Sequence, residues 1–285
     1  MAGIREIKRH IKSVQSTEQM VKAMKMVSVS KLRRTQNVLT TLQPYVSKCQ
    51  DVLGALLGLD GGLTNPYISG HEKKSGKVCY VFIAGNRGLC GMYNNEVAKF
   101  AREQLRAETR PYNLVICGRW AKDYFVRQQI PITRIFDGID DFPTAEQCRE
   151  VSTCLMDMYN SGEVDEIYLI YQQFINVVSQ KPVCKQFLPV HIEASEDTEA
   201  LADCIFEPSK ADVLDKLLDV YLHSNIQVTI ISAKVGEHSA RMTAMSSASD
   251  NTEQMINDLK LNLNRARQSA VTTELIEIVS GAAAI

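Results

Sequence analysis

Gly85-Asn86-Arg87-Gly88-Leu89-Cys90-Gly91 is the segment whose residue types best suit phosphate chemistry. Glycines let a backbone approach an anion closely, and the segment lies between a strand-like run and a helix-like one. Its glycines, however, fall at i, i+3 and i+6, whereas the dinucleotide fingerprint needs i, i+2 and i+5, and a Gly-Lys-Ser/Thr phosphate loop is missing. A tight turn that presents Arg87 at the surface is the expected reading. The histidines (His10, His71, His191, His223, His238) show no metal-ligand spacing and are expected at the surface. Cys148 and Cys154 share one predicted helix and read as apolar fillers, not as a redox pair. No Gly-x-Ser-x-Gly elbow and no carboxylate pair in an apolar setting is present. Nothing here supports catalysis on this chain alone, and no cofactor is expected.

Charge gives a second lead. The formal net charge is -1, so the chain as a whole is not built for nucleic acid. Residues 1–34 nevertheless carry nine Lys/Arg against Glu6 and Glu18, a local excess of seven positive charges. No aromatics are interleaved in that stretch, so it suits an acidic protein surface at least as well as phosphates. Eight cysteines without a Cys-x-x-Cys pair read as reduced, mostly buried thiols of a reducing compartment. No apolar signal segment, transit peptide or 18-residue apolar run is visible, so neither export nor a membrane span is expected.

These residues must be positioned by three blocks, expected at 1–60, 77–205 and 208–285. Residues 4–43 contain neither proline nor glycine, and Ile4, Ile7, Ile11 and Val14 open a heptad pattern. The pattern is read to stutter across Gln15–Glu18, changing the supercoil there, and to resume at Val21, Met24 and Leu32. One long helix is predicted, ending near Gly54–Gly62, with a possible kink at Pro44. After Pro208 only Gly236 and Gly281 interrupt a second helical stretch. Its seam runs through Met242, Met245, Thr252, Met255/Ile256, Leu259, Leu263, Ala266 and Ala270, then Leu275 and Val279. A helix of seventy-odd residues would be about 100 Å long, too long to lie inside a compact domain. The two ends are therefore expected to pair antiparallel. Met20, Met24 and Met26 on one helix and Met242, Met245 and Met255 on the other read first as core packing. Small residues over Ser239–Ser249 would allow close backbone approach, and the ending after Glu277 carries no charged side chain.

In the middle block, Lys77–Gly85 and Tyr112–Gly118 read as strands, and Gly91–Glu108, Trp120–Gln129 and Thr144–Asn160 as helices. Thr133–Ile139 reads as a third strand. Two more strands follow over Val164–Val190, turning near Gln180-Lys181-Pro182. This alternation predicts a mainly parallel sheet covered on both faces, with polar links at 60–76 and 191–208. The fold class is α/β: a Rossmann-like central domain plus a long antiparallel coiled coil of the terminal helices.

Four stretches resemble one family closely, the gamma subunit of F-type ATP synthase: Ile4–Leu32, Gly85–Gly91, Arg241–Thr252 and Ala266–Ile285. The resemblance implies a central rotary shaft, non-catalytic itself, in a ring of alternating alpha and beta subunits. The middle domain would bind the epsilon subunit and stand on the membrane rotor ring of c subunits. It further implies that Met24, Lys25, Arg241, Arg267, Gln268, Thr272 and Glu274 meet the beta and alpha subunits. Phe206 and Glu207 would belong to the foot on the rotor ring, and Arg87 to a surface loop whose partner is open. The uncharged tip would turn in an apolar sleeve, and the protein would be peripheral on the cytoplasmic face of a bacterial membrane. The competing reading is a standalone α/β enzyme or regulator that dimerises through helical arms and binds a nucleotide.

Overall fold

In a computed structural model, residues 2–59, 63–71, 75–193 and 204–283 are described. They form six helices and five strands: α1 (Ala2–Leu59), α2 (Pro66–Ser69), β1 (Val78–Ile83), α3 (Tyr93–Ala107), β2 (Tyr112–Cys117) and α4 (Arg119–Arg127). Then come β3 (Arg134–Phe136), α5 (Ala145–Asn160), β4 (Glu166–Phe174), β5 (Gln180–Leu188) and α6 (Lys210–Ala283). Part of the link predicted at 191–208, residues 194–203, lies outside the described residues, as do Ala284 and Ile285 of the uncharged ending. The chain divides into two compact units, one of Met1–Val29 with Arg241–Ile285 and one of Ser30–Ala240.

The first unit pairs the start of α1 with the end of α6. Lys25 Nζ donates to Ser246 Oγ at 3.0 Å, and Lys22, one turn earlier, feels the charge of Glu253, two turns later. Stepping backward on one helix is stepping forward on the other, so the two run antiparallel. From Met242 on, the covered positions Met242, Met245, Ser249, Thr252, Ile256, Leu259, Leu263, Ala266 and Ala270 of α6 keep a strict three-four alternation, flanked near its start by the half-buried Ala244, Ser246 and Ala248. The predicted seam holds as far as Ala270, with Ser249 added, but its last two members, Leu275 and Val279, are exposed and lie beyond the covered stretch.

On α1 the structure corrects the sequence reading. Its covered positions run Ile4, Ile7, Ile11, Val14, Glu18, Val21, Lys25, Ser28, Leu32, Thr35 and Leu39 without a missed step. There is no stutter. Glu18, Lys25, Ser28 and Thr35 hold seam positions that a search for apolar residues passes over, and the phase of the helix does not change there. Ser28 and Thr35 return their hydroxyls to Met24 O (2.8 Å) and Lys31 O (2.9 Å), which satisfies a buried polar group within its own helix. The helix also continues through Pro44 and past Gly54 to Leu59.

The second unit is built on a five-stranded sheet in the order β3-β2-β1-β4-β5. Strands β1 to β4 are parallel, and β5 is antiparallel to β4. Alternate residues of β1 enter opposite cores, as a parallel sheet covered on both faces requires. Cys79, Val81 and Ile83 pack with α5, the end of α1 and α6; Val78, Tyr80 and Phe82 pack with α3 and α4. Helix α5 opens with a capping box in which Thr144 Oγ1 accepts from Gln147 N and the Gln147 side chain accepts from Thr144 N. Residues Ala233–Ser239 of α6 are all buried, which marks a helix embedded on every side.

The hairpin turn lies five residues earlier than predicted. Asn176 Oδ1 accepts from Val178 N and Ser179 N, closing the loop at Ile175–Ser179. Pro182 instead sits inside β5 opposite Gln172, which an edge strand tolerates because no ladder partner needs its missing N–H. The third strand shortens to three residues, and α2, capped by Asn65, occupies part of the predicted polar link.

Candidate functional site

The loop after β1 is held from beneath rather than left open. Gly85 N donates to Asn94 Oδ1 at 3.0 Å, while Asn94 Nδ2 donates to Arg87 O at 3.2 Å. Asn86 Oδ1 accepts from Arg119 N, tying the loop to the start of α4. The loop's outer side carries Arg87, exposed, and Leu89, 63% exposed with φ +60°, a backbone conformation that is costly for a branched side chain. The expected surface presentation of Arg87 is therefore what the structure has.

Strands β1 and β4 are neighbours, and the order of strand addition reverses between them, which is where an open α/β sheet offers its ligand crevice. Here α6 occupies that place. A Cβ on Gly85 would meet Glu237 Cδ at 2.8 Å and Oε1 at 2.9 Å, so a carboxylate of the chain sits where a phosphate would need to lie. Glu237 is paired with Lys234 at 3.1 Å, the two side chains being 1% and 4% exposed. Tyr93 OH donates to Ala233 O at 2.6 Å, and Gln172 Nε2 donates to Tyr93 O at 3.3 Å. Sequence reading missed this cluster. A charged pair between apolar residues on a helix looks like a solvated face until the tertiary packing is known; Gly236, against which the Tyr93 ring rests, was the available hint.

The residues singled out on the terminal helices separate into two groups. Lys25 and Arg241 are half-buried, whereas Arg267, Gln268, Thr272 and Glu274 are exposed along the last turns of α6. Thr272 Oγ1 donates to Gln268 O at 2.9 Å, so that hydroxyl's proton is already used. The methionines depart from plain core packing: Met20, Met24, Met26 and Met255 are exposed, and Met245 alone of the six is buried. Most of the basic residues of the first 34 also point outward; Lys31 pairs with Asp141, and Arg34 stacks over the Phe142 ring at 4.2 Å. Phe206 packs partly into the core with Lys210 Nζ 5.9 Å from its ring. Glu207 opens onto a groove of about 780 Å³ lined also by Tyr45, Asp212, Lys216 and Val220.

Two expectations about single residues need amending. His238 is fully buried, not a surface residue, because it lies on the embedded stretch of α6. His223 is half-buried, with Nδ1 2.5 Å from Ser152 Oγ and Nε2 3.5 Å from Asp219. The cysteines behave as read: none is in a disulfide, and five of the eight are buried, Cys148 among them. Burial pushes the Cys117 and Cys148 thiols up to about 12, which keeps them protonated and inert.

A family model described as ATP synthase matches residues 3–285. The chain is 39% identical to the ATP synthase gamma chain of Pelotomaculum thermopropionicum over 285 residues, all of both chains. It is 41% identical to that of Moorella thermoacetica over the same span, again all of both. The chain belongs to the ATP synthase gamma chain family. Among solved structures, a chain of the Euglena gracilis mitochondrial ATP synthase (OSCP/F1/c-ring, rotational state 3) superposes with a TM-score of 0.67 at 18% identity, covering 99% of this chain and 94% of that one. In this member of the family the crevice of the mainly parallel sheet is filled by the chain's own last helix. Among the described residues no helix is long and apolar enough to cross a membrane, and no cluster of metal-ligating side chains occurs.

Proposed function

We propose that this chain is the rotating central shaft of an ATP synthase, itself without a catalytic site, and that it passes rotation of a membrane ring to catalytic beta subunits. One observation carries the reading. The covered seam of α6 ends at Ala270, yet the helix continues with Val271, Leu275, Ile276, Ile278 and Val279 between 50% and 68% exposed. A helix that outruns its partner with apolar side chains bare needs an apolar housing supplied by other chains.

In this reading the alpha and beta subunits surround the terminal helices, meeting Met24, Lys25, Arg241, Arg267, Gln268, Thr272 and Glu274. The epsilon subunit and the c-subunit ring meet the α/β unit, with Phe206 and Glu207 at the foot and Arg87 on a further contact loop. The chain would lie at the cytoplasmic face of a bacterial membrane as a peripheral component. Three chemically identical sites can differ only if something asymmetric touches each of them differently, and a helix pair with one basic face does so. Energy transfer then depends on differential contact at each angle, and exchangeable charge pairs suit it better than permanent ones.

The test is Arg267→Ala or Gln268→Ala in the assembled enzyme. Ion-driven ATP synthesis is expected to fall while the complex still assembles; unchanged synthesis would contradict the proposal.

A further inference from the structure

The crevice at the carboxyl edge of β1 and β4 has a purpose once its contents are taken together. Lys234 and Glu237 form an ion pair almost without solvent contact, and such a pair is costly to bury. It stabilises little in net terms, so its placement calls for another explanation. Glu237 lies against Gly85 with no room for a Cβ between them, and the same Gly85 is bonded to Asn94, which holds the Arg87 carbonyl. Tyr93, next to Asn94, donates to Ala233 one turn before Glu237. On the other flank Ser239 Oγ donates to Val177 O of the β4–β5 hairpin at 2.6 Å. Residues 233–239 of α6 are thus gripped by the segments that follow both strands of the switch point, through the directional Tyr93 and Ser239 hydrogen bonds as well as through packing.

We propose that the filled crevice acts as a torsional clasp, in which Glu237 and Lys234 are positioning residues that fix the angle of α6 about its axis relative to the sheet and to the Arg87 loop. Apolar packing sets the angle of a helix by shape alone; a desolvated charge pair wedged against a glycine adds a directional constraint, because any rotation would strand a buried charge. The clasp rests on the shaft reading above, since fixing that angle matters only if turning is transmitted through α6.

The experiment uses the complete ATP synthase carrying the variant chain, in inverted membrane vesicles, with ATP hydrolysis and ATP-driven ion pumping measured together. Glu237→Gln and Lys234→Gln are each expected to lower ions pumped per ATP by roughly fivefold or more, the low end of ordinary coupling energies, with hydrolysis retained. The double variant Lys234→Met with Glu237→Met removes the pair without stranding a charge and is expected to assemble but to pump as poorly as the single variants. Gly85→Ala, which forces a methyl into the carboxylate, is expected to behave like the single charge variants and gives an answer should one of those fail to assemble. Normal pumping in the single variants overturns the clasp. So does a parallel fall of hydrolysis and pumping, or a double variant that pumps normally. Arg267→Ala run alongside separates the two readings: if it uncouples while the clasp variants do not, the clasp alone fails. If none of them changes coupling, the shaft reading fails with it.

Discussion

Lys25 and Ser246, 221 positions apart in the chain, meet through a 3.0 Å hydrogen bond between Nζ and Oγ in the seam of the helix pair. An ammonium has three donors, so Lys25 can fix the register of the two helices and still offer protons outward. A double-mutant cycle of Lys25→Ala and Ser246→Ala is expected to give a coupling of about 1 kcal/mol in the stability of the helix pair. Additive effects in thermal melting would show that the bond fixes nothing.

Acid stability offers a second check. Arg110 donates Nε to Glu108 Oε1 at 3.0 Å and Nη2 to Oε2 at 3.1 Å, and holds that carboxyl down to about 2 from 4.5. The folded value is the lower one, so the pair's contribution is complete above about 4.5 and is lost as pH falls toward 2. Arg110→Ala should move the Glu108 titration, followed by NMR, up toward the ordinary carboxylate range and should make unfolding begin at a higher pH.

The cysteines should sort by burial. Near pH 8, about half a unit below an ordinary thiol's pKa, a thiol reagent should modify exposed Cys204 first and half-buried Cys154 and Cys184 slowly. Cys49, Cys79, Cys90, Cys117 and Cys148 should react only in denaturant. Rapid labelling of Cys117 in the native chain would mean that the core between the sheet and α5 opens.

Gly118 is a sharper structural test. It has φ +113°, donates to Phe136 O, and a Cβ there would come within 2.4 Å of Ala84 O. Gly118→Ala should cost roughly 1–3 kcal/mol from the backbone alone, plus the clash. Gly138→Ala, which meets nothing within 4 Å, should be nearly neutral by denaturant unfolding.

What the sequence made legible was whatever depends on period and punctuation. The sheet strands, α5 with its Thr144 cap and the α6 seam follow from runs, caps and spacings that are local. The α1 seam was only partly legible because Glu18, Lys25, Ser28 and Thr35 do the work of apolar residues there. Their acceptability depends on a partner such as Ser246 or a carbonyl one turn back, which no periodicity reveals. The hairpin was misplaced because Pro182 looks like a breaker unless its strand is known to be at the edge. The Lys234–Glu237 cluster was invisible for the same reason: burial of a charge is a tertiary fact. Arg267, Gln268, Thr272 and Glu274 were assigned by resemblance alone, because exposed polar residues on a helix carry no periodic signal of their own.

The bare end of α6 has a consequence for the cell as well as for the motor. Residues 271–283 run about three to four turns past the seam, and a single helix of that length is marginal in water, so in the proposed shaft its order would come from the chains that house it. A copy synthesised in excess would expose an adhesive stalk to proteases and to its own kind. If the proposed housing holds, surplus copies made without it should be cleared faster than assembled ones, which a pulse-chase with and without the partner chains would show.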